Sequence, residues 1–600
     1  MKNIFDRFSD KMPRILIWAV PLLLIIPNIA LSITEPDYGI GARLANILLP
    51  AGLYLMLMSC WRRTGWLTIF TLPLMVLCAF QIVLLFLYGQ GIIAIDMFLN
   101  VVTTNVHEAT ELLRNLSGAI VTVLVLYLPP LTAAIWMIVI KGEASRTERR
   151  PAIITGVALA VAGICALVGA YVAESRYSVD RRLFPVNVVS NICRATVRNA
   201  EAKAYDSTSA DFLFSARSTR PAESPEVYVV VVGETARAGN WQLNGYHRPT
   251  NPRLSVREGL VNFPHAVSQS NTTHKSVPLM LSHLDANAFA DSIYEIKGII
   301  SAFAEAGYAT AYFSNQVRNG SLIDSFGEEA DTCVFINDDG NLHFDGELLP
   351  LLAEFVGKDD AKKLVVLHTY GSHFNYRERY PADYNRFRPN DSASADAENR
   401  AGLVNSYDNS VLYIDAVLDS VAGTLAALHR PAAMIYAADH GEDIYDDSRK
   451  RFLHASPTPT YWQLHVPMFV WMSDGFRSLH PDKSMALRNH SHSQVSSSRC
   501  VFHTIMDMAG VDCPYFNEKA SLASVRYVPE EPLYLNDYNE AVPLRESGIS
   551  SGDMAMFRLA GIRGAEGSVF AVVPQETPVG IEYLAFGHKT DVMPVCVHNR

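Results

Sequence analysis

Apolar residues fall unevenly along the chain. Before about residue 175 they run in long uninterrupted stretches, and beyond it they come in short runs that stop at polar residues. The first part holds five such stretches, at about 15–33, 44–61, 66–88, 116–140 and 152–173. Each approaches the roughly 20 helical residues that span bilayer hydrocarbon. Five nearly charge-free runs in succession do not read as buried helices of a water-soluble domain. Nor is the first a cleaved signal peptide, because no small-residue cleavage site follows it and further spans come at once. The pattern predicts a transmembrane domain with five helices over residues 1–174.

Basic residues give that domain a direction. Lys2, Arg7, Lys11 and Arg14 precede the first run, Arg62 and Arg63 separate the second from the third, and Lys141, Arg146, Arg149 and Arg150 lie between the fourth and fifth. The opposite loops carry Glu35, Asp37, Asp96, Glu108 and Glu111, with Arg114 nearly alone among them. Positive-inside segregation puts the amino terminus in the cytoplasm and, after an odd number of spans, the remainder outside. Residues 175–225 then read as a linker. Its first half, around Arg181-Arg182-Leu183-Phe184-Pro185, suits an amphipathic segment as well as an ordinary helix, and its second half is a Ser-, Ala-, Pro- and Arg-rich loop.

The rest, residues 226–600, reads as one catalytic domain. Three short runs stand out: Val227 to Val232 before Gly233-Glu234-Thr235, Leu364 to Leu367 before His368-Thr369-Tyr370-Gly371-Ser372-His373, and Met434 to Ala438 before Asp439-His440-Gly441-Glu442. Continuous rather than alternating hydrophobicity marks strands covered on both faces, as in a mostly parallel sheet. Helical patterns such as 299–307 and 406–429 complete an α/β reading. Ligands of such sheets bind beyond the carboxyl ends of the strands, where Glu234, His373, Asp439 and His440 all fall. Carboxylate oxygen with imidazole nitrogen suits zinc better than manganese.

A transferase or hydrolase also needs a nucleophile. Ser270-Asn271-Thr272-Thr273-His274-Lys275-Ser276 precedes the apolar Val277-Pro278-Leu279, and hydroxyls gathered there look like a helix amino terminus that favours a phosphate. A threonine hydroxyl at a metal loses its proton more readily and becomes a usable nucleophile. The net charge of −11 argues against a nucleic-acid partner. The eight cysteines show no CxxC pair, which leaves structural thiolate zinc without ligands. Cys500 and Cys513 are candidates for a disulfide in an oxidising compartment.

Taken together, these motifs closely resemble the phosphoethanolamine transferases of the alkaline phosphatase superfamily, including the lipid A modifying enzymes of polymyxin resistance. Val232 to Arg237 with Asn244-Gly245-Tyr246 is similar to that family's first metal motif, and Ala438 to Glu442 to its second. Thr273, five residues before Pro278, falls at its nucleophile. The resemblance implies an alkaline-phosphatase-like (sulfatase-like) domain in which Glu234, Asp439, His440 and the Thr273 oxygen hold catalytic zinc. It also implies that His373 and His454 stand beside the phosphate, and that Asn315 contacts substrate. Asn100, Thr104 and Glu108 resemble the signature thought to meet the lipid donor. By the same resemblance the donor is phosphatidylethanolamine, the acceptor is lipid A or the lipopolysaccharide core, and the setting is the bacterial inner membrane with catalysis in the periplasm. A phosphoglycerol transferase is the nearest alternative. A sulfatase would need a Cys or Ser nucleophile in a Cys/Ser-x-Pro-x-Arg context, which the run at Thr273 lacks. Three positions depart from the family pattern: Gln269 and Leu279 stand where polymyxin-resistance members carry cysteines, and Asn319, beside Arg318, stands where they carry a lysine.

Overall fold

The structure is a computed structural model that describes residues 2–35, 38–89, 91–103, 116–174, 177–221, 224–339, 341–358, 361–390 and 397–562, with the backbone of three strands between 571 and 595. The chain divides into two compact units, residues 1–197 without 102–106, and residues 198–600 together with 102–106.

The first unit is helical: α1 (Lys2–Leu24), α2 (Ile26–Thr34), α3 (Ile40–Ser59), α4 (Thr64–Phe70), α5 (Leu72–Tyr88), α6 (Ile95–Thr103), α7 (Ser117–Val139), α8 (Arg146–Ala173) and α9 (Val186–Lys203). Among the described residues four segments are long and apolar enough to cross a bilayer, namely Asp10–Thr34 (α1 and α2 together), α3, Gly118–Val139 and α8. The third of the five expected spans is a bent pair of helices rather than one straight helix. There α4 and α5 meet at a 50° bend, so the count reaches five only if this bent pair is one span. The break has a local cause: Pro73 sits in the first turn of α5, where its missing N–H and its ring favour a fresh helix start over continuation.

Small residues let α3 and α8 approach closely. A Cβ built on Gly52 would lie 2.5 Å from Ala160 N, and one on Gly163 would lie 2.5 Å from Leu49 N. In hydrocarbon, where burying apolar surface gives no advantage, such backbone contact supplies much of the association. Polar side chains add hydrogen bonds inside the bundle. Asn28 Nδ2 donates to Asn46 O and to Phe184 O, both at 2.8 Å, and Asn46 Oδ1 accepts from Phe184 N at 3.1 Å. These bonds tie the segment after α8 back to α2 and α3.

The second unit is built on a seven-stranded sheet. In chain order its strands are β1 (Val227–Gly233), β2 (Leu260–Asn262), β3 (Ala309–Ser314), β4 (Thr332–Phe335), β5 (Lys363–His368), β6 (Ala432–Ala438) and β7 (Met468–Met472), and in space they run β2-β7-β6-β1-β5-β3-β4. The strands from β6 to β4 are parallel, whereas β7 runs antiparallel to both β6 and β2. The sheet is therefore mixed, with a parallel majority. Every residue of β1, β5 and β6 is buried, as their unbroken hydrophobicity predicts. The helices of this unit include α10 (Thr273–Met280), α11 (Arg400–Ala426) and α12 (Ser497–Ala509). Cys500 and Cys513 are both buried free thiols, so the expected disulfide is not formed.

A candidate metal and nucleophile site

Register places the site. Gly233 of β1 pairs with Ala438 of β6, so the next residues, Glu234 and Asp439, leave adjacent strands side by side. The chain turns sharply there: Thr235 has φ 56, a conformation that a β-branched residue adopts only where its surroundings enforce it. The enforcement is visible. Thr235 N donates to Asp439 Oδ1 at 3.0 Å, Thr235 Oγ1 to Glu234 Oε1 at 2.9 Å, and the Tyr407 hydroxyl of α11 to Thr235 O at 2.8 Å. The Tyr246 hydroxyl of the Asn244-Gly245-Tyr246 segment donates to Asp408 Oδ2, next to Tyr407 on α11, at 2.8 Å.

Three ligand-type side chains converge. Glu234, Asp439 and His440 each offer an atom within 4.8 Å of the other two, and all three are buried. His440 Nδ1 lies 2.9 Å from Gly441 O, a partner that can only accept, so Nδ1 carries the proton and Nε2 presents its lone pair. That lone pair lies 3.2 Å from Asp439 Oδ2 and 3.7 Å from Glu234 Oε1. Among the described residues, none donates a hydrogen bond to Asp439 Oδ2 or Glu234 Oε2. Buried electron-rich atoms facing one another suit a cation, and two carboxylates with one imidazole are ligand types that fit zinc. The titration behaviour agrees. Burial, and then the charge of Asp439, push the Glu234 carboxyl well above its ordinary range, and burial raises Asp439 to about 7. Burial, and then His454, hold His440 well below the usual imidazole value.

Thr273 opens α10 at the edge of this triad. Its hydroxyl donates to Glu234 Oε1 at 3.2 Å and lies 3.1 Å from His440 Nε2. Thr272 is the residue before the helix, and its hydroxyl pairs with Ser270 Oγ at 3.0 Å, while the Ser276 hydroxyl donates back to Thr272 O at 2.8 Å. Of the three hydroxyls, only that of Thr273 reaches the metal-type atoms.

The histidines named from the sequence gather here too. The His454 ring centroid lies 4.2 Å from that of His440 and 5.6 Å from that of His373. His373 follows a tight turn in which Gly371 has φ 56, and a Cβ at that glycine would lie 2.5 Å from Glu234 O. Arg379 Nε donates to His373 O at 2.9 Å and braces the turn. Asn315 reaches the His373 turn through Asp345. Its Nδ2 donates to Asp345 Oδ1 at 2.8 Å and to His343 O at 3.2 Å, and Asp345 in turn accepts from Tyr370 N and Gly371 N at 2.7 and 3.0 Å. Asn315 thus anchors the His373 turn. Arg318 pairs with Glu328 and Asp338. Thr104 and Glu108 lie outside the described residues, as does the side chain of Asn100 in α6.

Glu442 stands in the second motif, yet the sequence pattern assigns it no role. Its carboxyl is buried, raised to about 8 by that burial, and 3.6 Å from His454 Nδ1. The signal was a second carboxylate three residues after Asp439. Asn271, Asp345 and Gln463 carried no comparable signal, because amides and lone carboxylates are common in loops.

The fold and this rim make an α/β domain in which three buried metal-type side chains and a hydroxyl converge. Residues 226–511 match the family model described as Sulfatase. Phosphoethanolamine transferase EptA of Escherichia coli (strain K12) is 29% identical over 299 residues, covering 48% of this chain and 54% of that protein. The putative transferase YhbX of the same strain is 28% identical over 436 residues, covering 67% and 74%. The chain spans about half the length of the EptA relatives it matches. Among solved structures, the integral membrane lipooligosaccharide phosphoethanolamine transferase A of Neisseria meningitidis superposes with a TM-score of 0.67 at 23% identity, covering 84% of this chain and 97% of that one. The carboxy-terminal periplasmic domain of EptC from Escherichia coli, a zinc complex, gives 0.50 at 24%, covering 56% and 96%. These two likenesses concern the fold.

Proposed function

We propose that this chain is a five-span inner-membrane phosphoethanolamine transferase whose periplasmic domain moves the headgroup of phosphatidylethanolamine onto lipid A or the lipopolysaccharide core. The observation that carries the reading is the Thr273 hydroxyl, 3.2 Å from Glu234 Oε1 and 3.1 Å from His440 Nε2 at the mouth of the buried triad. Its support beyond the site is the set of transferase relatives.

Glu234, Asp439 and His440, with the Thr273 oxygen, would hold zinc. When bound, zinc would lower the hydroxyl's pKa and offset the charge that develops on the phosphoryl oxygens. The Thr273 oxygen attacks phosphorus, its bond to phosphorus forms as the bond to the diacylglycerol oxygen breaks, and its proton passes to Glu234 Oε1, to which the hydroxyl donates at 3.2 Å. The departing alkoxide takes a proton from His373 or His454, which flank the phosphate position. An acceptor oxygen then attacks the phosphoethanolaminyl-threonine and gives its proton to the histidine left neutral by the first step, while the Thr273 oxygen leaves and takes its proton back from Glu234.

The test is mass spectrometry of the full chain in detergent, given phosphatidylethanolamine and no acceptor. The peptide containing Thr273 should gain one phosphoethanolamine group, and Thr273→Ala should fold and lose all transfer. A glycerophosphate adduct from a phosphatidylglycerol donor, with none from phosphatidylethanolamine, would select the phosphoglycerol transferase reading instead. An adduct on Thr272 or Ser276 would remove Thr273 from its role.

A further inference from the structure

The segment before Thr273 and the segment around His454 are far apart in sequence, yet one side chain joins them. Asn271 is buried, and its Nδ2 donates to Gln463 Oε1 at 2.8 Å and to Ser456 O at 2.9 Å. Its Oδ1 accepts from the Tyr534 hydroxyl at 2.9 Å, and its main-chain oxygen accepts from Ala455 N at 3.1 Å. Both amide hydrogens are therefore used. Gln463 extends the connection by donating through Nε2 to Asp443 Oδ2 at 2.9 Å and to Leu453 O at 3.2 Å.

The backbone around His454 needs these tethers. Leu453 has φ 68 and Ala455 φ 58, so two residues with a Cβ flank the histidine in the left-handed region, which such residues disfavour. Leu453 O is held by Gln463 and Ala455 N by Asn271. Tyr534 belongs to a hairpin, Leu533–Leu535 paired antiparallel with Ala541–Pro543, which lies beyond the end of the Sulfatase match at residue 511. The hairpin contacts the nucleophile loop twice more: Leu535 N donates to Gln269 O, and Lys275 Nζ to Asn536 O, both at 2.7 Å.

We infer that Asn271 is a positioning residue, locked by Tyr534 of the carboxy-terminal hairpin, that sets the spacing between the Thr273 oxygen and the His454 ring. This rests on the reading of Thr273 as nucleophile given above. Neither Asn271 nor Tyr534 touches the reacting atoms. Each acts through the loop that carries them, where a displacement of about 1 Å can lower the rate about a hundredfold.

The experiment uses the full chain in detergent and measures formation of the Thr273 adduct from phosphatidylethanolamine in a single turnover, with donor KM, zinc content and melting temperature recorded in parallel. Tyr534→Phe removes one oxygen and should slow adduct formation about tenfold, with KM changed less than about threefold and zinc content unchanged. Asn271→Asp keeps the shape but cannot donate to Gln463 or Ser456, and should slow it about a hundredfold. Adding Tyr534→Phe to Asn271→Asp should bring little further loss, because both act through one group. Arg545→Ala, which removes an exposed ion pair to Glu531 on the hairpin's outer flank, should leave the rate unchanged. A wild-type rate in Tyr534→Phe, in a preparation where Thr273→Ala is dead, overturns the inference and leaves the nucleophile standing. Equal slowing by Arg545→Ala overturns it as well, since general loosening of the hairpin would then explain the loss. Turnover by Thr273→Ala removes both readings together.

Discussion

Two carboxylates and an imidazole lone pair on one buried rim repel each other unless a positive charge lies among them. That repulsion makes the metal-free and metal-bound proteins respond differently to the same substitution. With zinc present, Asp439→Ala removes a ligand, and the bound ion should fall from about one per chain to near zero. Without zinc, the substitution relieves the burial of a carboxyl that raises its neighbour Glu234. Chelator should therefore lower the melting temperature of the wild type and leave that of Asp439→Ala nearly unmoved. Binding at a thousandfold excess over Kd adds about 4 kcal/mol of stability, a shift that thermal scans resolve. Full zinc content in Asp439→Ala would move the ligands elsewhere.

At the scale of elements, the helix pair α3 and α8 depends on missing side chains. Gly163→Ala would drive a methyl to within 2.6 Å of Leu49 Cα, whereas a Cβ at Gly169, on the same helix, meets nothing within 4 Å. Overpacking against backbone has no flexible partner to absorb it and costs about 1–3 kcal/mol. Thermal melts of the full chain in detergent should show Gly163→Ala lowered by several degrees and Gly169→Ala at or slightly above wild type, since alanine is the better helix former. Equal melting temperatures would mean that the helices do not meet at this seam. The bend between α4 and α5 belongs to the same scale. Hydropathy over 66–88 is continuous, and a window average cannot register that Pro73 restarts the helix.

For the whole molecule, buried titratable groups of opposite tendency set the response to pH. Burial holds His368 and His503 at about 3 and His465 at about 4. Each is neutral when folded and, below about 6.5, protonated when unfolded. The unfolded chain then binds more protons, so their contribution is present above about 6.5 and is lost as pH falls toward 4. Burial raises Asp443 to about 7 and Asp415 to about 6, and these contribute the reverse, stability that is lost as pH rises through those values. The opposing slopes flatten the wild-type curve, so the informative measurement is a difference. His465 has Nε2 2.8 Å from Pro264 O and Nδ1 2.7 Å from the Tyr461 hydroxyl. His465→Gln should lose some stability at pH 7.5 and regain it relative to wild type by about 1.4 kcal/mol per pH unit between about 6.5 and 4. A pH-independent difference would mean that His465 is protonated in the folded state.

Much of this was legible in the residues themselves. Uninterrupted apolar runs marked the membrane helices and the three central strands, because burial on both faces leaves no polar position to break them. Glu234, His373, Asp439 and His440 could be named because strand ends converge on one edge of a parallel sheet whatever the loops do, whereas hydroxyls ahead of an apolar run marked only a helix start and it was the family resemblance that singled out Thr273. Short strands such as β2 and β4 were not legible, being three and four residues long and stabilised only by their neighbours. The antiparallel turn of β7 was likewise decided by pairing with β6 rather than by its own composition. Asn315 lies buried, with its Nδ2 donating to Asp345 Oδ1 and His343 O. Asn271 and Tyr534, 263 positions apart, share a hydrogen bond that no local pattern encodes. Hydrophobic periodicity is a property of adjacent residues and survives in the sequence, whereas the partner of a buried polar group is chosen by whichever distant segment the fold brings within 3 Å.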